Sequence, residues 1–325
     1  MHKMTGRPAD NAQSILNGVR EIACDFASQR AERQRRRELI KEDFDRLRDS
    51  GYLMVAVPTE LGGIWDGDRT GTRVLCEILR TLAQGDSSVA LVASMHPAVI
   101  GSAGWLSIPE APEPYSAAWD EQRRWAFQTV CDGHFWGTII SEPGSGGDNT
   151  QSNSTAKLGS NNGEYLLSGQ KHFGSGSGIT SYMVTHAVPD GEVAPDTFVL
   201  DMRDSPWNGP SGVKLIAPWD GHGMTATQSH GMDFDNFPAR RLAFPGDERR
   251  AILAGMDRPQ GALFVAVVTG IVETAVTTAR QQLESKRDRM RSYDRVEWAR
   301  VEIETWLVQQ AYEGMLRDVE RGRSG

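Results

Sequence analysis

Two glycine-rich turns, separated by what reads as a strand pair, constrain this chain more than any other feature; both lie between Trp136 and Gly178. The first runs Ser141-Glu142-Pro143-Gly144-Ser145-Gly146-Gly147-Asp148 and is entered from the short apolar run Thr138-Ile139-Ile140. The second runs Lys171-His172-Phe173-Gly174-Ser175-Gly176-Ser177-Gly178 and offers an aromatic face, hydroxyls and free amides together. Glycine lets a main chain approach a ligand closely and aim N–H groups at it with no Cβ in the way. Either turn alone has the composition of an ordinary connector. As a pair they can converge on one flat ligand.

At 325 residues the chain is long enough for two or three units with sizeable cores. Its net charge of −8 argues against a nucleic-acid surface, which wants a basic stripe. The three cysteines, Cys24, Cys76 and Cys131, share no close spacing, so neither a metal cluster nor a disulfide framework is suggested. A reducing, cytoplasmic setting fits that usage. No signal peptide is visible in the first residues, and no run reads as the ~18 apolar residues of a membrane helix.

Periodicity divides the chain into three parts. Residues 1–135 read as a helical unit, with apolar positions at three and four in Ile15, Val19, Ile22 and Phe26. The basic run Arg33 to Arg37 reads as a solvated helix face among Glu32, Glu38 and Glu42. Asp86-Ser87-Ser88 offers N-cap chemistry for a helix carrying His96 before Pro97. Over residues 136–247 the period changes to two, with short alternating runs punctuated by Gly, Pro, Asn and Asp, the signature of a small antiparallel sandwich or barrel. Residues 248–325 return to a helical pattern, from Gln260 to about Arg289 and from Asp294 to about Arg321. The fold class predicted is α+β.

The order of apolar-Ser-Glu-Pro-Gly-x-Gly-x-Asp, then Tyr-x-apolar-x-Gly-x-Lys, resembles the flavin-binding middle domain of the acyl-CoA dehydrogenase superfamily. Leu47 to Gly63 and Trp219 to Pro245 are similar to further stretches of that family. The resemblance implies a helical N-terminal domain, a central β-domain holding FAD, and a C-terminal helical domain present here as an incomplete four-helix bundle. It would set Thr138, Ile139, Ile140 and Ser141 along the pyrimidine side of the flavin, with Gly146 and Gly147 presenting amides. Phe173 would pack beside the ring, followed by Gly174, and Ser175 would stand near N5, where the family usually has Trp and Thr. Arg287 would reach the pyrophosphate, in the family commonly that of the neighbouring subunit. The implied reaction is oxidation of the CH–CH group of an acyl-CoA, in a homodimer or homotetramer served by an electron-transfer flavoprotein.

That reaction needs a carboxylate base, which the family places either at the start of the long C-terminal helix, where this sequence reads Gln260, or in a later segment about a hundred residues on, past Gly325. Ser-Gly-Ser-Gly after Phe173 and the run Trp219 to Ser229 are equally similar to the two-component flavin monooxygenases of the same superfamily. Such enzymes take reduced flavin from a reductase and need no base of that kind. Ser175 and His96 are then the catalytic candidates, hydrogen-bonding substrate or oxygen. A third expectation is a shortened paralogue that keeps the fold without turnover.

Overall fold

Apolar residues spaced three and four apart place a helix's buried face before any tertiary contact is considered, and the N-terminal part follows that rule. The computed structural model describes residues 8–144, 151–160, 163–255 and 260–322. Helix α1 (Pro8–Ser28) buries Ile15, Val19, Ile22 and Phe26. The short α2 (Arg30–Arg33) and α3 (Lys41–Asp49) follow, the latter burying Phe44 and Leu47. Helices α4 (Asp68–Gly85) and α5 (Ser87–Ser102) meet at Asp86, whose side chain accepts from the Ser88 and Val89 N–H groups at 2.8 and 3.0 Å. That satisfies donors a helix start leaves unpaired. Helix α6 (Ser116–Cys131) completes this layer.

The basic run departs from its expected solvation at one residue. Arg33 is buried, bonded to Asp43 at 2.6 Å and Asp86 at 2.7 Å, with its guanidinium 3.6 Å from the Phe26 ring centroid. A planar cation with two carboxylates and an aromatic face to meet is better placed inside than its hydrated neighbours Arg35 and Arg37, which stay exposed.

Among the described residues seven strands make the central unit: β1 (Trp136–Thr138), β2 (Thr155–Leu158), β3 (Glu164–Gly174), β4 (Tyr182–Pro189), β5 (Asp196–Asp201), β6 (Val213–Ala217) and β7 (His230–Arg241). Strand β3 pairs antiparallel with β2 and β7, and β5 pairs antiparallel with β7 and β4. The ring closes because β4 also takes β2 on its other edge, in parallel, beyond the point where β1 pairs with it in parallel. The sheet is therefore mixed where the alternating pattern predicted antiparallel pairing throughout. A period of two reports which face a residue lies on, not the direction of its neighbour. The ring of β4, β2, β3, β7 and β5 closes with β1 and β6 each paired to it on one side, and the inward residues Ala156, Leu167, Met183, Phe198, Leu200, Met232 and Phe234 fill the barrel.

An aromatic seam joins barrel to helices. The fully buried Trp136 stacks on Tyr182 at 4.9 Å and meets Trp105 and Trp125 edge-on at 5.0 and 5.6 Å. After α7 (Gly246–Ala254), helix α8 (Gln260–Glu284) packs mainly on α4 and α5, and α9 (Ser292–Arg321) folds back on α8 and α4. Over Gly261–Glu284, α8 is long and apolar enough to cross a bilayer by length and composition, where no run of that length was expected. Here its first turns bury Ala262, Leu263, Ala266 and Val267 against the helical core.

Candidate functional site

The described start of the first turn meets the second turn at one barrel edge. Past β1 the extended chain alternates, so Thr138, Ile140 and Ser141 are half-buried while Ile139 turns its side chain into the barrel core. The Ile139 main chain is also engaged, its N–H donating to the Val184 carbonyl at 3.0 Å and its carbonyl accepting from Thr185 Oγ1 at 2.6 Å. Of the four residues expected along a ligand, Ile139 is thus an anchor, with neither side chain nor main chain left over. Ser141 is tied to the second turn by its carbonyl, which accepts the His172 N–H at 2.7 Å. Gly146 and Gly147 lie outside the described residues.

On the second turn Phe173 has a φ of 58°, a conformation costly for a bulky residue, and its ring is 59% exposed. It is flanked edge-on by His172 at 6.2 Å and Trp219 at 6.3 Å. Two glycines behind it sit against neighbouring side chains. A Cβ on Gly174 would come within 2.7 Å of Ile139 Cδ1, and one on Gly176 within 2.7 Å of Val92 Cγ1 on α5. The turn therefore sits directly on the helix that carries His96.

Ser175 joins a chain of hydroxyls that the glycine pattern did not reveal. Its Oγ lies 2.8 Å from Ser229 Oγ, which lies 2.8 Å from Thr227 Oγ1. Ser229 and Thr227 are buried and Ser175 is half-exposed, so the chain leads from the interior to the edge. Next to it, His230 Nδ1 accepts the Trp219 N–H at 2.9 Å, and burial lowers the pKa of that imidazole. Thr227 and Ser229 already stood in the run beginning at Trp219; what that run could not show was which residue they meet.

Behind the edge lies a buried ion pair. Lys171 Nζ donates to Glu142 Oε1 at 2.5 Å and to the His186 carbonyl at 2.6 Å. Burial would raise the Glu142 carboxyl, but Lys171, Ser152, the Asn153 N–H and Ser154 together hold it down at about 2. Burial pushes Lys171 below its ordinary value, opposed by Glu142. With so many oxygens around the ammonium and donors around the carboxylate, the charged pair is the form this geometry favours. One signal pointed to it: on β3, Lys171 follows Leu167 and Gly169 at a spacing of two, which is an inward position.

The remaining candidates lie elsewhere. His96 is fully buried, its Nδ1 accepting the Trp136 N–H at 3.2 Å and its Nε2 facing the Leu53 carbonyl at 3.3 Å. The first bond fixes the tautomer, so Nε2 carries the hydrogen and donates. Desolvation, outweighing the Leu53 bond, lowers its pKa to about 4. Both nitrogens are used and the imidazole is neutral, so this residue serves as a cross-link between helix and barrel. Arg287 sits exposed on the short turn Arg287–Arg289 between α8 and α9, and the structure does not bring it to Phe173 or Ser141.

Comparison with known proteins bears on what such an edge is for. Residues 9–105 match the model of the acyl-CoA dehydrogenase N-terminal domain, and residues 137–237 that of the acyl-CoA dehydrogenase middle domain. A probable FMNH2-dependent monooxygenase, SfnC, from Pseudomonas putida is 26% identical over 81% of this chain and 60% of its own length. A dibenzothiophene monooxygenase from Mycolicibacterium goodii is 26% identical over 81% of this chain and 61% of its own length. The chain thus spans about six tenths of the length of these curated relatives. Among solved structures, FMN-bound TdsC from Paenibacillus sp. A11-2 superposes with a TM-score of 0.71 at 20% identity, covering 96% of this chain and 78% of that one. Butyryl-CoA dehydrogenase from Megasphaera elsdenii does so with a TM-score of 0.75 at 18% identity, covering 99% and 82%. These likenesses are of fold.

Proposed function

This chain belongs to the acyl-CoA dehydrogenase family, and from that premise we propose that it is a flavin-dependent monooxygenase that takes reduced flavin from a partner reductase. The observation that carries the reading is the hydroxyl chain Ser175–Ser229–Thr227 at the edge beside Phe173, with the Glu142 carboxylate behind it locked to Lys171. These hydroxyls donate hydrogen bonds, and the carboxylate behind them, held by Lys171, is not a free base. Desaturation of a thioester requires one, whereas oxygen transfer does not. The relatives named as monooxygenases support the same choice.

The residues present fit a flavin ring. Phe173 offers an exposed aromatic face, and Thr138, Ser141 and Ser175 offer half-exposed hydroxyls around it. When bound in its reduced form, flavin supplies the electron pair that activates dioxygen for insertion into a small organic substrate. The protein's share is placement. When Thr227 donates to Ser229 and Ser229 to Ser175, the Ser175 proton can point outward at whatever occupies the edge. FMN is favoured over the FAD first expected, since two of the similar proteins are named for FMN or FMNH2.

Anaerobic fluorescence titration with reduced and oxidised FMN and FAD tests this. Tighter binding of the reduced form, and oxygen-dependent product formation when a flavin reductase is added, are the expected results. Tight binding of oxidised FAD that acyl-CoA thioesters bleach would return the protein to desaturation, which the family fold also supports.

A further inference from the structure

The Glu142–Lys171 pair is more completely built than anything else near the edge. Side-chain exposure is 0% for Lys171 and 4% for Glu142. Besides Glu142 and the His186 carbonyl, the ammonium has Ser152 Oγ at 3.4 Å and the Ile140 carbonyl at 3.5 Å. The carboxylate accepts from Ser152 Oγ at 2.5 Å, the Asn153 N–H at 2.6 Å, Ser154 Oγ at 2.8 Å and the Ser154 N–H at 3.3 Å. A buried pair of this kind returns little net stability, because desolvation offsets the attraction and apolar residues of similar volume do as well. Its position offers a better reason for it.

Lys171 immediately precedes His172, whose N–H holds the Ser141 carbonyl, and Glu142 immediately follows Ser141. One ammonium therefore ties the tail of β1, the 152–154 segment, the middle of β4 and the end of β3 to a single point. The two stretches facing outward from that point are Thr138–Ser141 and Phe173–Ser175. Resting on the flavin reading above, we infer that Glu142 and Lys171 are positioning residues: their ion pair sets the gap between the two stretches, and so the affinity and orientation of the flavin ring held there. Neither side chain touches the ligand. Loss of the pair lets the strained Phe173 turn and the β1 tail move independently.

The test uses the double variant Glu142→Gln/Lys171→Met, which removes both charges and leaves no buried ion unpaired. Asp43→Asn is the control, since it removes a comparably buried carboxylate from Arg33 in the helical unit. Thermal melting, reduced-FMN titration and visible circular dichroism of bound flavin are measured on the full chain. The double variant is expected to melt cooperatively while binding reduced FMN about tenfold more weakly, with an altered flavin dichroism, and the control to bind like wild type at a lower melting temperature. If the double variant does not fold, Glu142→Gln alone keeps an acceptor for Lys171 and reads the same quantities. Wild-type affinity and dichroism in the neutral variants would overturn the inference and leave the flavin reading standing, as would a loss of affinity in both variants that merely tracks melting temperature. Failure of the wild-type protein to bind any flavin would overturn both.

Discussion

The barrel meets its surroundings in two ways. Along the helical seam, Trp136, Tyr182, Trp105, Trp125 and Phe135 pack edge and face, and the imidazole of His96, packed against Phe135, is held neutral. At the opposite character stands the edge at Phe173, where an aromatic ring is left mostly exposed, hydroxyls line up beside it, and the charges sit one layer behind. Both regions are rich in aromatics. At the seam, ring area removed from water stabilises the join between layers. At the edge that area is left unburied, and polar bonds hold the backbone that presents it. Residues that stabilise this protein and residues that can present a ligand are therefore largely different ones.

Removing the stacked indole should break the seam most severely. Trp136→Ala is expected to cost about 3–5 kcal/mol, the range for emptying a buried aromatic site, read as a shift in denaturant midpoint. An equal cost for Phe173→Ala would erase the contrast between the two regions.

Acid titration should separate them next. His96 titrates at about 4 in the fold against an ordinary 6.5, so it contributes stability above 6.5 that is lost as pH falls from 6.5 towards 4. The full loss is on the order of 3 kcal/mol, and His96→Gln should flatten that part of the stability–pH curve. Glu142, held at about 2 against 4.5, keeps its contribution above 4.5 and loses it only as pH falls from 4.5 towards 2. If His96→Gln leaves the slope between pH 6.5 and 4 unchanged, the seam is not the acid-labile region.

A smaller effect is expected inside the hydroxyl chain. Ser229→Ala leaves the buried Thr227 hydroxyl without that partner and should cost about 1–2 kcal/mol, while removing the support behind Ser175. Reduced-flavin affinity measured beside the melting temperature would show both losses together; a loss of stability with unchanged affinity would confine the chain to a structural role. The smallest effect on stability belongs to Phe173→Gly. Glycine takes the positive φ without strain and little buried area is lost, so the variant should be within about 1 kcal/mol of wild type on either side, yet bind flavin several-fold more weakly.

Much of this architecture was readable in advance, and the exceptions have a common cause. Ile15, Val19, Ile22 and Phe26 announced a buried helix face, Asp86 announced a cap, and the alternating runs at Tyr182 and Thr197 became strands, because each signal is local and repeats with the element's own period. Ile139 was grouped with its neighbours as a ligand contact, although the same alternation sends it inward. Arg33 was grouped with a solvated run, although two distant carboxylates draw it in.

By itself, then, the sequence determined the three-part order of helices, strands and helices and the placing of the glycine turn after β3, since periodicity and turn chemistry are written residue by residue. Tertiary structure alone decided that β2 and β5 close a ring on opposite edges of β4, that Ser175 finds Ser229 across 54 residues, and that His96 and Lys171 are sealed from water. Those outcomes depend on which segments meet, and a segment's own pattern records the face it buries but not the partner that buries it.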